Sequence, residues 1–150
     1  MTLSVDIKQG EIQSAYIKAS FDKGKLALES KSYRIPSLEE NAGLRIQEGR
    51  NSFISKYSNW TREGVIYIPL KGKFLTKKSP IMDNAGEATA CHNNGSDFYL
   101  TAKLVEEALE DSIELREGWI PTNRFKDNKF AVYAFGDIAE KYGQFLRDAG

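Results

Sequence analysis

The sequence predicts an α+β fold, a single antiparallel sheet built from hairpins with two or three helices packed against it. Apolar or alternating stretches are separated by tight-turn residues, which joins neighbouring strands antiparallel. Three other segments carry an apolar arc at helical spacing, and these helices are segregated from the strand pairs. The 150 residues are 41% hydrophobic and 28% charged, which suits one globular domain over 1–150 and excludes a disordered tail or a disulfide scaffold.

From Glu11 to Phe21 the residues alternate, with Ala15, Ile17, Ala19 and Phe21 on one side and Ser14, Tyr16, Lys18 and Ser20 on the other. That period reads as a half-buried strand. Asp22-Lys23-Gly24-Lys25 then reads as a turn into a partner strand over Leu26–Ile35, which Pro36 ends. Ser37 and Glu40 have the spacing of a capping box. After it, Leu38, Ala42, Ile46, Gly49, Phe53 and Tyr57 share one helical arc, with a break expected near Gly49.

Val65 to Leu70 is β-branched and aromatic, a strand that Pro69 confines to an edge or an end. Lys71-Gly72-Lys73 turns it into a short strand at Phe74–Thr76. Residues 79–96 read as a loop, with Asn94-Gly95 able to close a hairpin between Ala88–His92 and Asp97–Leu100.

Thr101 is an N-cap candidate for a helix whose apolar side is Leu104, Val105, Ala108, Leu109 and Leu115. Its other side is Glu106, Glu107, Glu110, Asp111 and Glu114. Trp119–Phe125 and Phe130–Phe135 flank Lys126–Lys129 as a further hairpin, the second run apolar on both faces like a covered central strand. Asp137 caps a last helix in which Ile138, Tyr142, Phe145, Leu146 and Ala149 face inward. Val132, Ala134, Ile138 and Phe145 are the expected core.

The formal net charge is zero, yet the charges are sorted. Residues 45–78 carry eight basic and two acidic side chains, a net +6, and residues 79–114 carry one against eight, a net −7. Such adjacent blocks neutralise each other within the fold or across a dimer, or they meet charged partners.

Phosphate-binding glycine loops are missing from the sequence, and one Cys beside one His cannot build a usual zinc site. If Cys91 and His92 lay on a strand, they would point to opposite faces and could not act as a nucleophile–base pair. No cofactor or metal is expected. The lone thiol, the lack of a secretory signal and the lack of a long apolar run point to a cytoplasmic protein with no membrane contact.

The basic segment interleaves cations with rings, the combination that single-stranded nucleic acid uses for phosphates and bases. The leading expectation is a small soluble binding protein without catalytic activity. Its contacts would be Arg50, Lys56, Trp60, Arg62, Lys71, Lys73, Lys77 and Lys78, meeting nucleic acid or an acidic partner. Trp60 is the ring expected to be exposed. One alternative is a homo-oligomer pairing the basic segment with the acidic face of Glu106, Glu107, Glu110, Asp111 and Glu114. Another is a small enzyme using the 83–97 loop.

Overall fold

A computed structural model describes residues 8–9, 14–116 and 118–149. It has an α+β fold with antiparallel strands, and helix takes a larger share than the sequence suggested. β1 (Lys8–Gln9) pairs antiparallel with β2 (Ala15–Tyr16). After α1 (Phe21–Ser30), α2 (Leu38–Glu48) and α3 (Phe53–Lys56) come β3 (Gly64–Ile68) and β4 (Gly72–Thr76). α4 (Ala85–Asn93) and α5 (Ala102–Leu109) precede β5 (Ser112–Glu114), and α6 (Lys129–Phe135) and α7 (Ala139–Ala149) end the described chain. β3, β4 and β5 form one sheet in that order, both pairings antiparallel.

The first expected hairpin is not formed. Its initial residues, 11–13, lie outside the described part, β2 covers Ala15–Tyr16, and 21–30 is helical. Phe21, Lys25 and Leu28 recur at helical spacing and line a common cleft, while Leu26 is 71% exposed. The period of 3.6 therefore overrides the turn signal of Asp22–Lys25. α2 begins as read: Ser37 Oγ accepts from the Glu40 N–H at 3.1 Å, and Glu40 Oε1 accepts from the Ser37 N–H at 3.0 Å. The expected break falls at Gly49, whose φ of +89° a side chain would strain.

The β3–β4 hairpin forms as expected, with Ile66 opposite Phe74 and Ile68 opposite Gly72. β5 is the departure, because the acidic helix ends at Leu109 and 112–114 pairs with β4. Thr76, fully buried, explains the stop: its Oγ1 lies 2.5 Å from the Ala108 carbonyl and 3.2 Å from that of Asp111, and the Lys77 N–H donates to Asp111 O at 3.0 Å. Carbonyls at the end of α5 are thus satisfied by the neighbouring strand instead of another helical turn.

Two more hairpins are replaced by helices. Asn94-Gly95 ends α4: Ser96 N–H bonds Cys91 O, Gly95 N–H bonds His92 O, and Gly95 has φ +67°. This paired bonding is a Schellman motif. In the second case Asn128 is an N-cap, its Oδ1 accepting from the Ala131 N–H at 3.0 Å, so Phe130–Phe135 lies within α6. A short run apolar on all sides carries no period, and the cap decides it. Asp137 sits in a 3-10 turn over Gly136–Ile138 that runs into α7, so it is not that helix's cap.

Ala42, Phe125, Ala131, Ala139 and Tyr142 form the main buried cluster, with Ile46, Phe135, Ile138, Phe145 and Leu146 packed against it. Ala134 is buried and Ile138 and Phe145 are half-buried, but Val132 is 44% exposed, because α6 turns its two alanines inward. Phe125, Phe135, Tyr142 and Phe145 follow one another with ring centroids 5.8, 4.8 and 6.1 Å apart.

Gly143 sits where a 3-10 turn, Thr122–Arg124, crosses α7; a Cβ there would lie 2.3 Å from the Thr122 carbonyl oxygen. Alanine would favour the helix by up to about 1 kcal/mol, but overpacking costs about 1–3 kcal/mol and dominates against a backbone atom. Gly143→Ala is therefore expected to lower the denaturant midpoint. Phe125→Ala is expected to cost about 3–5 kcal/mol, and the half-exposed Val132→Ala less than about 1 kcal/mol, measured in the same unfolding series.

Candidate functional site

A cleft bordered by α1 and Trp60 is the candidate ligand site. α1 supplies Phe21, Lys25 and Leu28, the chain after it Tyr33, Arg34 and Ile35, and α2 and α3 supply Asn41, Leu44, Phe53 and Ile54. The exposed Trp60 also lines it, and the volume of this open cleft is about 230 Å³. Gly24 admits the opposite wall, since a Cβ there would lie 3.2 Å from Ile17 Cγ2.

Tyr16, Phe21, Tyr33, Phe53 and Trp60 are the rings of its lining. Trp60 is 59% exposed and packs one side against Phe21, centroids 4.5 Å apart, while Tyr16 stacks on Phe53 and Phe53 on Tyr57. Asn41 and Asn59 are among its polar groups. Asn41, 6% exposed, donates from Nδ2 to Asn59 Oδ1 at 3.0 Å. Arg45 Nη2 donates to the same oxygen at 3.0 Å, and its Nη1 donates to the Tyr142 hydroxyl at 3.1 Å. The cleft is therefore tied to the main core through one guanidinium. The two cations on its lining are occupied, Lys25 by Glu29 at 2.7 Å and Arg34 by Glu40.

Glu40 gathers the charges beside this cleft. Besides the capping box it takes Arg34 and Arg62, the latter at 2.9 Å. The hydrogen bond from Arg34 outweighs burial and lowers its carboxyl to about 2 from an ordinary value of 4.5.

The expected basic surface is divided. Arg50 donates to the Asp148 carbonyl at 3.2 Å, and Arg62 is held by Glu40. Lys77 Nζ sits 4.6 Å from the centre of the Tyr133 ring, and Lys78 pairs with Glu110 at 2.7 Å. Lys56 on α3, Lys71 in the β3–β4 turn and Lys73 on β4 are exposed and make no ion pair among the described residues. Trp60 and the lysines at 77 and 78 border different clefts. The second, about 340 Å³, is lined by Arg62, Lys77 and Lys78 together with the acids Asp83 and Glu107.

The acidic face is divided as well. Glu106 and Glu107 lie on α5, with Lys103 Nζ 3.9 Å from Glu107; Glu110 follows it. Asp111 accepts from the Tyr133 hydroxyl at its carbonyl, 2.6 Å, and at Oδ1, 3.1 Å. Burial and this neighbour push the Tyr133 hydroxyl up to about 12. Glu114 is on β5, not on the helix, and pairs with Arg116 at 2.9 Å. Among the described residues the ion pair Lys78–Glu110 joins the two charge blocks.

The 83–97 segment is mostly helix. Cys91, half-buried, and His92, exposed, are consecutive residues of α4 instead of strand neighbours. Among the described residues no three or more His, Cys, Asp or Glu side chains converge to hold a metal ion. The α1 wall of the first cleft escaped the sequence reading; the spacing of Phe21, Lys25 and Leu28 was the available signal. No protein family, curated protein or solved structure matches the chain.

Glu40 supplies a pH test. Its folded pKa lies below its ordinary value, so its stabilisation is complete above about pH 4.5 and is lost as pH falls towards about 2. Denaturant midpoints of the wild type should fall across that window. Glu40→Gln should remove this residue's share of the slope and should lower stability at neutral pH by up to about 1 kcal/mol through the lost ion pairs with Arg34 and Arg62, because glutamine can keep the capping box.

Proposed function

We propose that the protein acts by binding, not catalysis, and that the Trp60 cleft receives a flat, largely apolar group of its ligand. The observation that carries this reading is a cleft of about 230 Å³ whose lining includes five rings, among them the half-exposed Trp60, and the Asn41–Asn59 pair that Arg45 holds from outside it. Apolar concavities with a few fixed polar groups are the usual form of small-ligand sites, and this volume lies just under the common range of about 300–1,000 Å³. A single base or a ring of similar size suits it better than a large molecule.

Of the partners considered, single-stranded nucleic acid is favoured over an acidic protein surface. Trp60 offers a stacking face, whereas the cations that would meet an acidic surface are spread over several contacts of their own. Lys56, Lys71 and Lys73 are the phosphate contacts this reading retains. With three such contacts, the logarithmic salt dependence of binding should be no steeper than about −2 on single strands.

The chain has two tryptophans, so Trp119→Phe leaves Trp60 as the sole indole reporter. Titration of that variant with a short single-stranded oligonucleotide at low salt should quench its emission by stacking. Trp60→Ala should weaken binding by about 1–3 kcal/mol while leaving the salt slope unchanged. Lys73→Ala should flatten the slope. Absence of any quenching or binding at low salt would overturn the nucleic-acid reading, and failure of a small aromatic probe to quench Trp60 would overturn the cleft as a site.

A further inference from the structure

We propose that the outer edge of β3 is a self-association surface, on which two copies of the chain pair their β3 strands antiparallel about Ile66 into one continuous sheet. β3 is an edge strand whose ladder partner among the described residues is β4 alone. Edges left open in soluble proteins are usually guarded by a charge, a bulge or a proline within the strand. Gly64-Val65-Ile66-Tyr67-Ile68 has none of these, and Pro69 follows only after the strand has ended.

The exposed side chains select the occupant. Val65 is 58% and Tyr67 66% exposed, while Ile66 between them is buried. Antiparallel pairing about Ile66 sets Val65 of each copy opposite Tyr67 of the other, and Gly64 opposite Ile68. A β-branched residue against an aromatic one is a favourable cross-strand pair, formed twice by the symmetry. A slip of one residue would send these side chains to opposite faces, so the pattern specifies its own register.

Nothing in the hairpin turn obstructs this pairing. Lys71 N–H bonds Ile68 O at 3.0 Å, Pro69 takes the second position and Leu70 the third with φ +67°, so the chain turns towards β4 and away from the free edge. Because the contact is isologous, each copy consumes its own β3 edge and growth stops at two. This pairing differs from one through the acidic helix, whose Glu110 is engaged by Lys78 of the same chain.

Sedimentation velocity of the full chain over about 1–100 µM should show a monomer–dimer equilibrium. Tyr67→Lys alters an exposed side chain, so its circular dichroism should match the wild type while the dimer dissociation constant rises about tenfold or more. Trp60→Ala should leave the dimer intact, which separates association from the cleft. For the register, Cys91→Ser protein carrying Val65→Cys should cross-link on oxidation when mixed with Cys91→Ser protein carrying Tyr67→Cys. A strict monomer throughout that range, a dimer indifferent to Tyr67→Lys, or cross-linking no greater in the mixture than in either variant alone would overturn the proposal.

Discussion

The arrangement of the candidate site rests on one guanidinium. Arg45, on the side of α2, reaches the Tyr142 hydroxyl on α7 with one nitrogen and the Asn59 side chain and Tyr57 carbonyl with another. Its planar fork can serve two directions at once, which an ammonium on a flexible stem would do at greater loss of freedom. Asn59 is in turn the acceptor for the buried Asn41, so the position of the segment leading to Trp60 is fixed from α2 and ultimately from the core. Buried polar groups linked this way are costly to leave half-satisfied, which couples cleft geometry to core integrity.

That core is built from small residues and stacked rings more than from branched aliphatics. Ala42, Ala131 and Ala139 let helices approach closely, and Phe125, Phe135, Tyr142 and Phe145 fill the space between them. Gly143 follows the same logic at its limit, giving up a side chain so that a turn can cross α7. The exposed surface, by contrast, keeps Trp60, Val65 and Tyr67 in water. Isolated exposed apolar residues are ordinary, but these lie on two defined features, a cleft edge and a strand edge.

The legibility of the sequence depended on whether a local signal had one meaning. Ser37 with Glu40 has essentially one use, and the start of α2 was readable to the residue. The β-branched Val65–Ile68 run before a proline was equally plain, and so was a break at Gly49. Asn94-Gly95, Asp22–Lys25 and Lys126–Lys129 each serve hairpins and helix ends alike, and the helix formed each time. The end of α5 was unreadable locally, because the group that terminates it, Thr76, lies more than thirty residues away. For the candidate site, Trp60 and the charge blocks were visible, but their separation into two clefts was not. The first cleft takes one wall from α1, and that helix was the element the sequence obscured.

The separations of these contacts along the chain set an order of assembly. β4, α5 and β5 all lie between Gly72 and Glu114, and Tyr133 joins their joint at Thr76 from later in the chain, ahead of α7. The Arg45–Tyr142 bond spans 97 positions. During synthesis the sheet unit can therefore mature while the cleft still lacks its tie to α7, and local opening of α7 in the finished protein would loosen the floor beneath Trp60 before it disturbed the hairpin. Hydrogen exchange at Asn59 and Trp60 amides would then follow the stability of a helix joined to them through Arg45.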